Sequence, residues 1–183
     1  YQLLIIGYEN GLIEIFNETT QEMLRVVDII NKATIPPENK QINHFYEHQN
    51  ELYISTNYGI SVYKLDNLEF GDTLYIGNIG NQIPVKQTAV YNNTIYANCG
   101  NNEGIKSIAL SNPNLIDYQQ WFSAVSGEFV FLASNDGQLI VTSNAGVTFR
   151  LNDNNSLTQL IVNSEPPVAV YFSNEYFVTT LQA

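Results

Sequence analysis

The sequence predicts an all-β chain built from repeated four-stranded units, the pattern of a β-propeller. Three observations lead there. First, Gly11, Gly59, Gly104 and Gly146 recur at intervals of 48, 45 and 42 residues, each closing a short turn between two apolar runs. Second, the wording around them repeats. Ile5-Ile6-Gly7-Tyr8-Glu9-Asn10-Gly11-Leu12-Ile13-Glu14-Ile15-Phe16 returns as Tyr53-Ile54-Ser55-Thr56-Asn57-Tyr58-Gly59-Ile60-Ser61-Val62-Tyr63. It returns again as Tyr96-Ala97-Asn98 with Gly104-Ile105-Lys106-Ser107-Ile108, and as Ile140-Val141-Thr142-Ser143-Asn144-Ala145-Gly146-Val147-Thr148-Phe149. Third, twelve Tyr and nine Phe accompany many β-branched residues, while stretches of helical period are scarce. A repeat of roughly 40–50 residues made of short strands marks propeller blades.

Alternation and turn residues place the elements in order. Residues 2–8 and 11–16 form a hairpin through Glu9-Asn10-Gly11, and Met23 to Ile30 reads as a further strand. Asn31 to Lys40 is a loop, because Pro36-Pro37 bars helix and central strand alike. Ile42 to Glu47 pairs with Leu52 to Thr56 across His48-Gln49-Asn50; Gly59 to Leu65 and Thr73 to Ile76 complete that unit. The next unit runs Gln87 to Tyr91, Thr94 to Asn98, Gly104 to Leu110 and Gln119 to Ser123, with the turn Asn92-Asn93 tolerant of φ > 0. The third runs Glu128 to Ala133, a turn at Asn135-Asp136-Gly137, Leu139 to Thr142, Gly146 to Leu151 and Leu157 to Val162. A last hairpin starts at Val168, turns at Ser173-Asn174-Glu175 and returns as Tyr176 to Thr180.

The whole of 1–183 therefore reads as one partial propeller domain. Its approximate units are 1–35 (partial), 41–80, 86–125, 128–164 and 168–183 (partial). Three complete blades and two parts expose blade faces and strand edges that proteins normally cover. The expectation is a fragment of a larger propeller, or a ring completed by a second copy of the chain. Closure as four blades is disfavoured, because the first and last strands align to the same blade position. The opening residues Tyr1-Gln2-Leu3-Leu4-Ile5-Ile6 already lie in a strand, so a longer parent protein is expected.

Charge narrows the function. The formal net charge is −11, with seven Lys and Arg against eighteen Asp and Glu. Such a surface repels phosphate backbones and anionic headgroups, so neither nucleic acid nor an anionic bilayer is an expected partner. No run approaches the ~18–20 apolar residues of a spanning helix. Cys99 is the lone cysteine, so no intrachain disulfide forms, and a small buried apolar role on a blade strand fits it.

Catalytic signatures are missing. His44-Phe45-Tyr46-Glu47-His48 matches the H-x-x-E-H pattern of inverted zinc proteases, which needs a helix to bring both imidazoles to one ion. Here the segment aligns with a strand and its turn, where residues four apart sit too far from each other to share a metal. These are also the only two histidines. No nucleophile elbow, phosphate loop or dinucleotide fingerprint occurs, so no enzyme activity, metal or cofactor is expected. Glu9, Asp66, Asp72, Asp136 and Asp153 lie near turns, where short acidic side chains serve local geometry. Asn152-Asp153-Asn154-Asn155 offers a single carboxylate, a poor calcium ligand set. Trp121 falls on a predicted outer strand, suited to packing or a rim contact.

Several longer phrases carry a family resemblance. Asp28-Ile29-Ile30-Asn31-Lys32, Ile42-Asn43-His44-Phe45-Tyr46, the run from Leu52 to Leu65, Asp72-Thr73-Leu74-Tyr75-Ile76-Gly77, Tyr91 to Ala97, Gly104-Ile105-Lys106 and Asn112-Pro113-Asn114-Leu115-Ile116-Asp117 before Trp121 together resemble the N-terminal β-propeller of PorZ-type proteins. The likeness covers roughly the first two-thirds of the chain, and its motifs are blade phrases, not catalytic ones. It implies a Bacteroidetes cell-surface component of the type IX secretion system, outside the cytoplasm of a Gram-negative cell. Its implied role is binding and assembly, in contact with secretion-system proteins or anionic lipopolysaccharide. A more distant likeness, in Gly7-Tyr8-Glu9-Asn10-Gly11-Leu12, is to the periplasmic glycan-sensing propellers of hybrid two-component regulators. Within the same setting, Asp72-Thr73-Leu74 resembles the D-[ST]-apolar O-glycosylation site of Bacteroidetes envelope proteins, with Thr73 as acceptor. Asn17-Glu18-Thr19, Asn92-Asn93-Thr94 and Asn154-Asn155-Ser156 fit the N-glycan pattern, which an Asn-rich chain produces by chance.

Overall fold

A computed structural model describes residues 2–135, 137–163, 165, 167–173 and 176–180. Asp136, Asn174 and Glu175, assigned to turns above, lie outside the described residues. The first sheet holds β1 (Leu3–Gly7), β2 (Ile13–Asn17) and β3 (Glu22–Val26) in that order. The second holds β4 (Ile42–His48), β5 (Glu51–Thr56), β6 (Gly59–Lys64) and β7 (Glu69–Leu74). The third holds β8 (Val85–Tyr91), β9 (Thr94–Cys99), β10 (Gly104–Ala109) and β11 (Phe122–Val125). The fourth holds β12 (Phe129–Asn135), β13 (Gln138–Ser143), β14 (Val147–Leu151) and β15 (Leu157–Val162). A hairpin of β16 (Ala169–Ser173) and β17 (Tyr176–Thr180) follows. All ladders are antiparallel meanders, and β4, β8, β12 and β16 lie side by side as the inner strands. This is the partial propeller that the sequence predicts.

Period-two alternation builds three interfaces from one pattern. On β5, Leu52 and Ile54 face the first sheet, packing with Ile13, Ile15 and Val26. Tyr53 between them faces the third sheet, with Ile60, Val62 and Leu74 against Ile95, Ala97 and Ile108. On β9, Tyr96 turns the other way, joining Ile105 against Leu132, Leu139, Val141 and Leu151 of the fourth sheet. Each fully buried Ile or Leu contributes about 1.5–3 kcal/mol.

A shared irregularity ties the sheets together. The innermost ladder of each complete sheet slips register at its start, between Ile42 and His44, Val85 and Gln87, and Phe129 and Phe131. Such bulges re-aim a side chain. Further along β4, the Tyr46 hydroxyl donates to the Val90 carbonyl at 3.2 Å and lies 3.1 Å from Ser134 Oγ, spanning three sheets.

Four elements depart from expectation. The strand expected over Met23 to Ile30 is β3 followed by the short helix α1 (Asp28–Asn31), whose Ile29 is pinned in the first interface. The Asn31–Lys40 loop contains a 3₁₀ turn at Pro37–Asn39, with Pro37 in the first turn, where its missing N–H costs nothing. The fourth strand of the second sheet lies at Glu69–Leu74, earlier than Thr73 to Ile76, because its outer edge is solvated and its sequence polar. Tyr118–Gln120 forms a 3₁₀ turn and the strand begins only at Phe122. Trp121 precedes that strand; it is buried and its indole donates to the Leu115 carbonyl at 2.8 Å.

The first sheet keeps an open edge and an open face among the described residues. Leu4, Ile6 and Met23 are exposed there, on the side away from the second sheet.

Candidate binding surface

An up-and-down meander sorts its turns to two ends. One end collects the glycine turns and the connections between sheets. Gly11, Gly59, Gly104 and Gly146 stand there with φ of 86°, 138°, 73° and 80°. A Cβ on Gly59 would strike the Leu74 carbonyl, and one on Gly104 the Val125 carbonyl. Gly59, Gly104 and Gly146 thus let the chain leaving their sheet's fourth strand pass close over the turn into the third, and Gly11 does the same for Ile29 and Lys40 beyond β3. Close by, Lys106 Nζ sits 2.6 Å from Glu103 Oε2 and donates to the Ile76 carbonyl at 2.6 Å, fastening the second and third sheets.

The other end collects the hairpin turns of the inner strands and the loops between third and fourth strands. Gln49-Asn50 and Asn92-Asn93 all have positive φ, the two-residue turn that suits the strand twist. The corresponding loops span 18–21 between β2 and β3 of the first sheet, and 65–68, 110–121 and 152–156 between the third and fourth strands of the others. Three are four or five residues long and the one in the third sheet is twelve. This one is anchored by the Trp121–Leu115 bond, and Leu110 and Leu115 pack against the interface between the second and third sheets.

The result is an open cleft of about 640 Å³ at the edge of that interface, lined by His48, Asn50, Glu51, Tyr53, Lys64, Asp66, Leu110 and Leu115 among others. A smaller hollow of about 190 Å³ extends it past Gly71 and Asp72, sharing Glu51, Tyr53, Lys64 and Leu115. The Tyr53 hydroxyl donates to Glu51 Oε2 at 2.9 Å, and burial together with Glu51 pushes its phenol far above the ordinary value, so it remains a neutral donor. Asn50 Nδ2 donates to Asp66 at 3.2 Å. His48 Nε2 is buried and has no hydrogen-bond partner among the described residues.

Other residues singled out by sequence fall elsewhere. His44 and His48 both lie on β4, a strand, and no group of metal-ligating side chains converges among the described residues. Cys99 is fully buried, and burial raises its thiol to about 12. Thr73 is half-buried on β7, and its hydroxyl accepts from Lys32 Nζ at 2.7 Å, so a glycan there would displace this bond. Sequence reasoning missed the cleft; the length of the 110–121 loop was its one visible signal.

Residues 1–122 match the family described as the N-terminal β-propeller domain of PorZ of the type IX secretion system. The chain belongs to this family. Among solved structures, it is similar to PorZ of Porphyromonas gingivalis, described as an essential bacterial surface component of that system. The TM-score is 0.79 at 15% identity, covering 98% of this chain and 23% of that one. It is also similar to the extracellular domain of a one-component system from B. thetaiotaomicron, with TM-score 0.71, 16% identity, and coverage of 98% and 25%. A hybrid two-component extracellular domain from the same organism gives 0.61 at 15% identity, with coverage of 92% and 22%. The chain spans about a quarter of the length of these structures, and at such identities they show the fold alone. No curated protein matches it. No described helix is long and apolar enough to cross a membrane.

Proposed function

We propose that this domain is a non-enzymatic binding and assembly module of a PorZ-type component of the type IX secretion system, working outside the cytoplasm at the cell surface. The family match over residues 1–122 carries the reading. The site geometry supports it: an open cleft and paired turns offer contact area. Protein is favoured over anionic lipopolysaccharide as the direct contact, because a domain of net charge −11 repels an anionic glycan. The likeness to sensor domains rests on the shared scaffold only.

The test is deletion of these 183 residues from the full-length protein in its own host. Surface immunoblotting checks that the remainder still reaches the envelope. Cargo attached to the surface is then compared with cargo released to the medium. Loss of attachment is expected; unchanged attachment would sink the proposal.

A further inference from the structure

We propose that the cleft between the second and third sheets docks an extended peptide segment carrying arginine or lysine. This deepens the reading of the domain as a binding module by naming the chemistry of its partner. The two hollows adjoin, with Glu51, Tyr53, Lys64 and Leu115 lining both, so the lining of the combined groove reaches from Asp66 to Asp72. Its walls present three carboxylates, from Glu51, Asp66 and Asp72, against the single ammonium of Lys64. Its floor is apolar, from the part-buried Leu110 and Leu115.

That combination suits a long cationic side chain. The methylene stem lies on leucine carbon while the charged head reaches the carboxylates at the rim. A guanidinium also finds paired acceptors, which adds direction to the attraction. A sugar is the less suitable occupant. Sugar sites commonly stack a pyranose on an open aromatic face, whereas Tyr53 is only 1% exposed and its hydroxyl is already bound to Glu51. The overall charge of −11 draws basic partners from a distance and repels acidic ones.

The groove also depends on one feature that sets the third sheet apart. Short loops of four or five residues leave the other sheets without this wall. Trp121 holds the loop in place through Leu115, so the groove is preformed, which lowers the ordering cost of binding.

Fluorescence anisotropy tests this with a fluorescein-labelled hexapeptide of alternating arginine and leucine. The comparator replaces each arginine by glutamate, and maltohexaose serves as competitor. The double variant Glu51→Gln with Asp66→Asn removes two charges inside the groove. Glu18→Gln with Glu22→Gln removes two from the first sheet, outside it. Circular dichroism melts confirm that both variants fold. The groove variant is expected to weaken peptide binding by about tenfold or more, and the outer variant by less than about twofold. Equal losses in the two variants would show a diffuse field with no docking groove, and would overturn the proposal. So would absence of arginine-peptide binding, or displacement by maltohexaose with no preference for the arginine peptide. Failure here with cargo attachment still dependent on the domain would remove the groove and leave its assembly role standing.

Discussion

Asn43 and Lys86 occupy the same bulge one sheet apart, and each donates a side-chain hydrogen bond at 2.9 Å to the first carbonyl of the next sheet. Asn43 Nδ2 reaches the Val85 oxygen and Lys86 Nζ the Phe129 oxygen. The bulge gives β4, β8 and β12 one residue each that belongs to neither face, and in β4 and β8 the fold uses it to fasten neighbouring blades. Val130 holds the equivalent place in β12 and carries no polar group. Asn43→Ala is therefore expected to lower stability by about 1–2 kcal/mol, the worth of such a bond plus an incompletely satisfied acceptor. Urea titration measures it, and an unchanged midpoint would show that the tie contributes nothing.

The glycine turns lead to a sharper contrast. At Gly59 an alanine must hold φ near 138° and push against the Leu74 carbonyl. Strain of this kind alone costs about 1–3 kcal/mol, and the backbone clash adds to it. Gly71, on an exposed stretch of β7, has no atom closer than 3.5 Å to its built Cβ. Gly71→Ala is expected to be neutral or slightly stabilising. Thermal melts of the two variants should differ by several degrees, and similar melting points would refute the close-approach account of Gly59.

Lys106 and Glu103 form a nearly buried pair, with side chains 9% and 18% exposed. Lys106→Met strands the Glu103 carboxylate and frees the Ile76 carbonyl it also binds. Breaking one side of a buried pair costs about 3–5 kcal/mol, whereas removing both charges often restores much of it. The double variant Lys106→Met with Glu103→Gln should thus melt above the single Lys106→Met. A double variant no better than the single would mean that the lysine acts by its bond to Ile76 rather than by charge.

The alternating runs made the sheets legible. Leu52, Tyr53 and Ile54 point to opposite sides in strict order, and the same order recurs in Ile95, Tyr96 and Ala97. Outer strands were harder. Glu69-Phe70-Gly71-Asp72 reads as loop because an edge strand keeps a solvated side and needs few apolar residues. Val27-Asp28-Ile29-Ile30 continues a strand pattern on paper, yet only Ile29 is fully buried there and the chain turns into α1. The bulges, and the cleft apart from the length of its loop, were hidden for a common reason. Both depend on register and on a loop folding back over a distant tyrosine, which no local pattern encodes.

His44 supplies a pH signature. It lies half-buried on β4, and the loss of solvent around it holds its imidazole below the ordinary value. In the unfolded chain the same group titrates near 6.5. The unfolded state therefore binds more protons as pH falls past that value, and the folded state loses stability. Above about 6.5 the contribution is complete; it declines through the interval down to the depressed folded value. His44→Gln keeps a polar side chain of similar reach and does not titrate. Urea midpoints taken between pH 7.5 and 5 should fall less steeply for His44→Gln than for the parent. Parallel slopes would show that His44 takes up its proton equally in both states, and that burial does not set its charge.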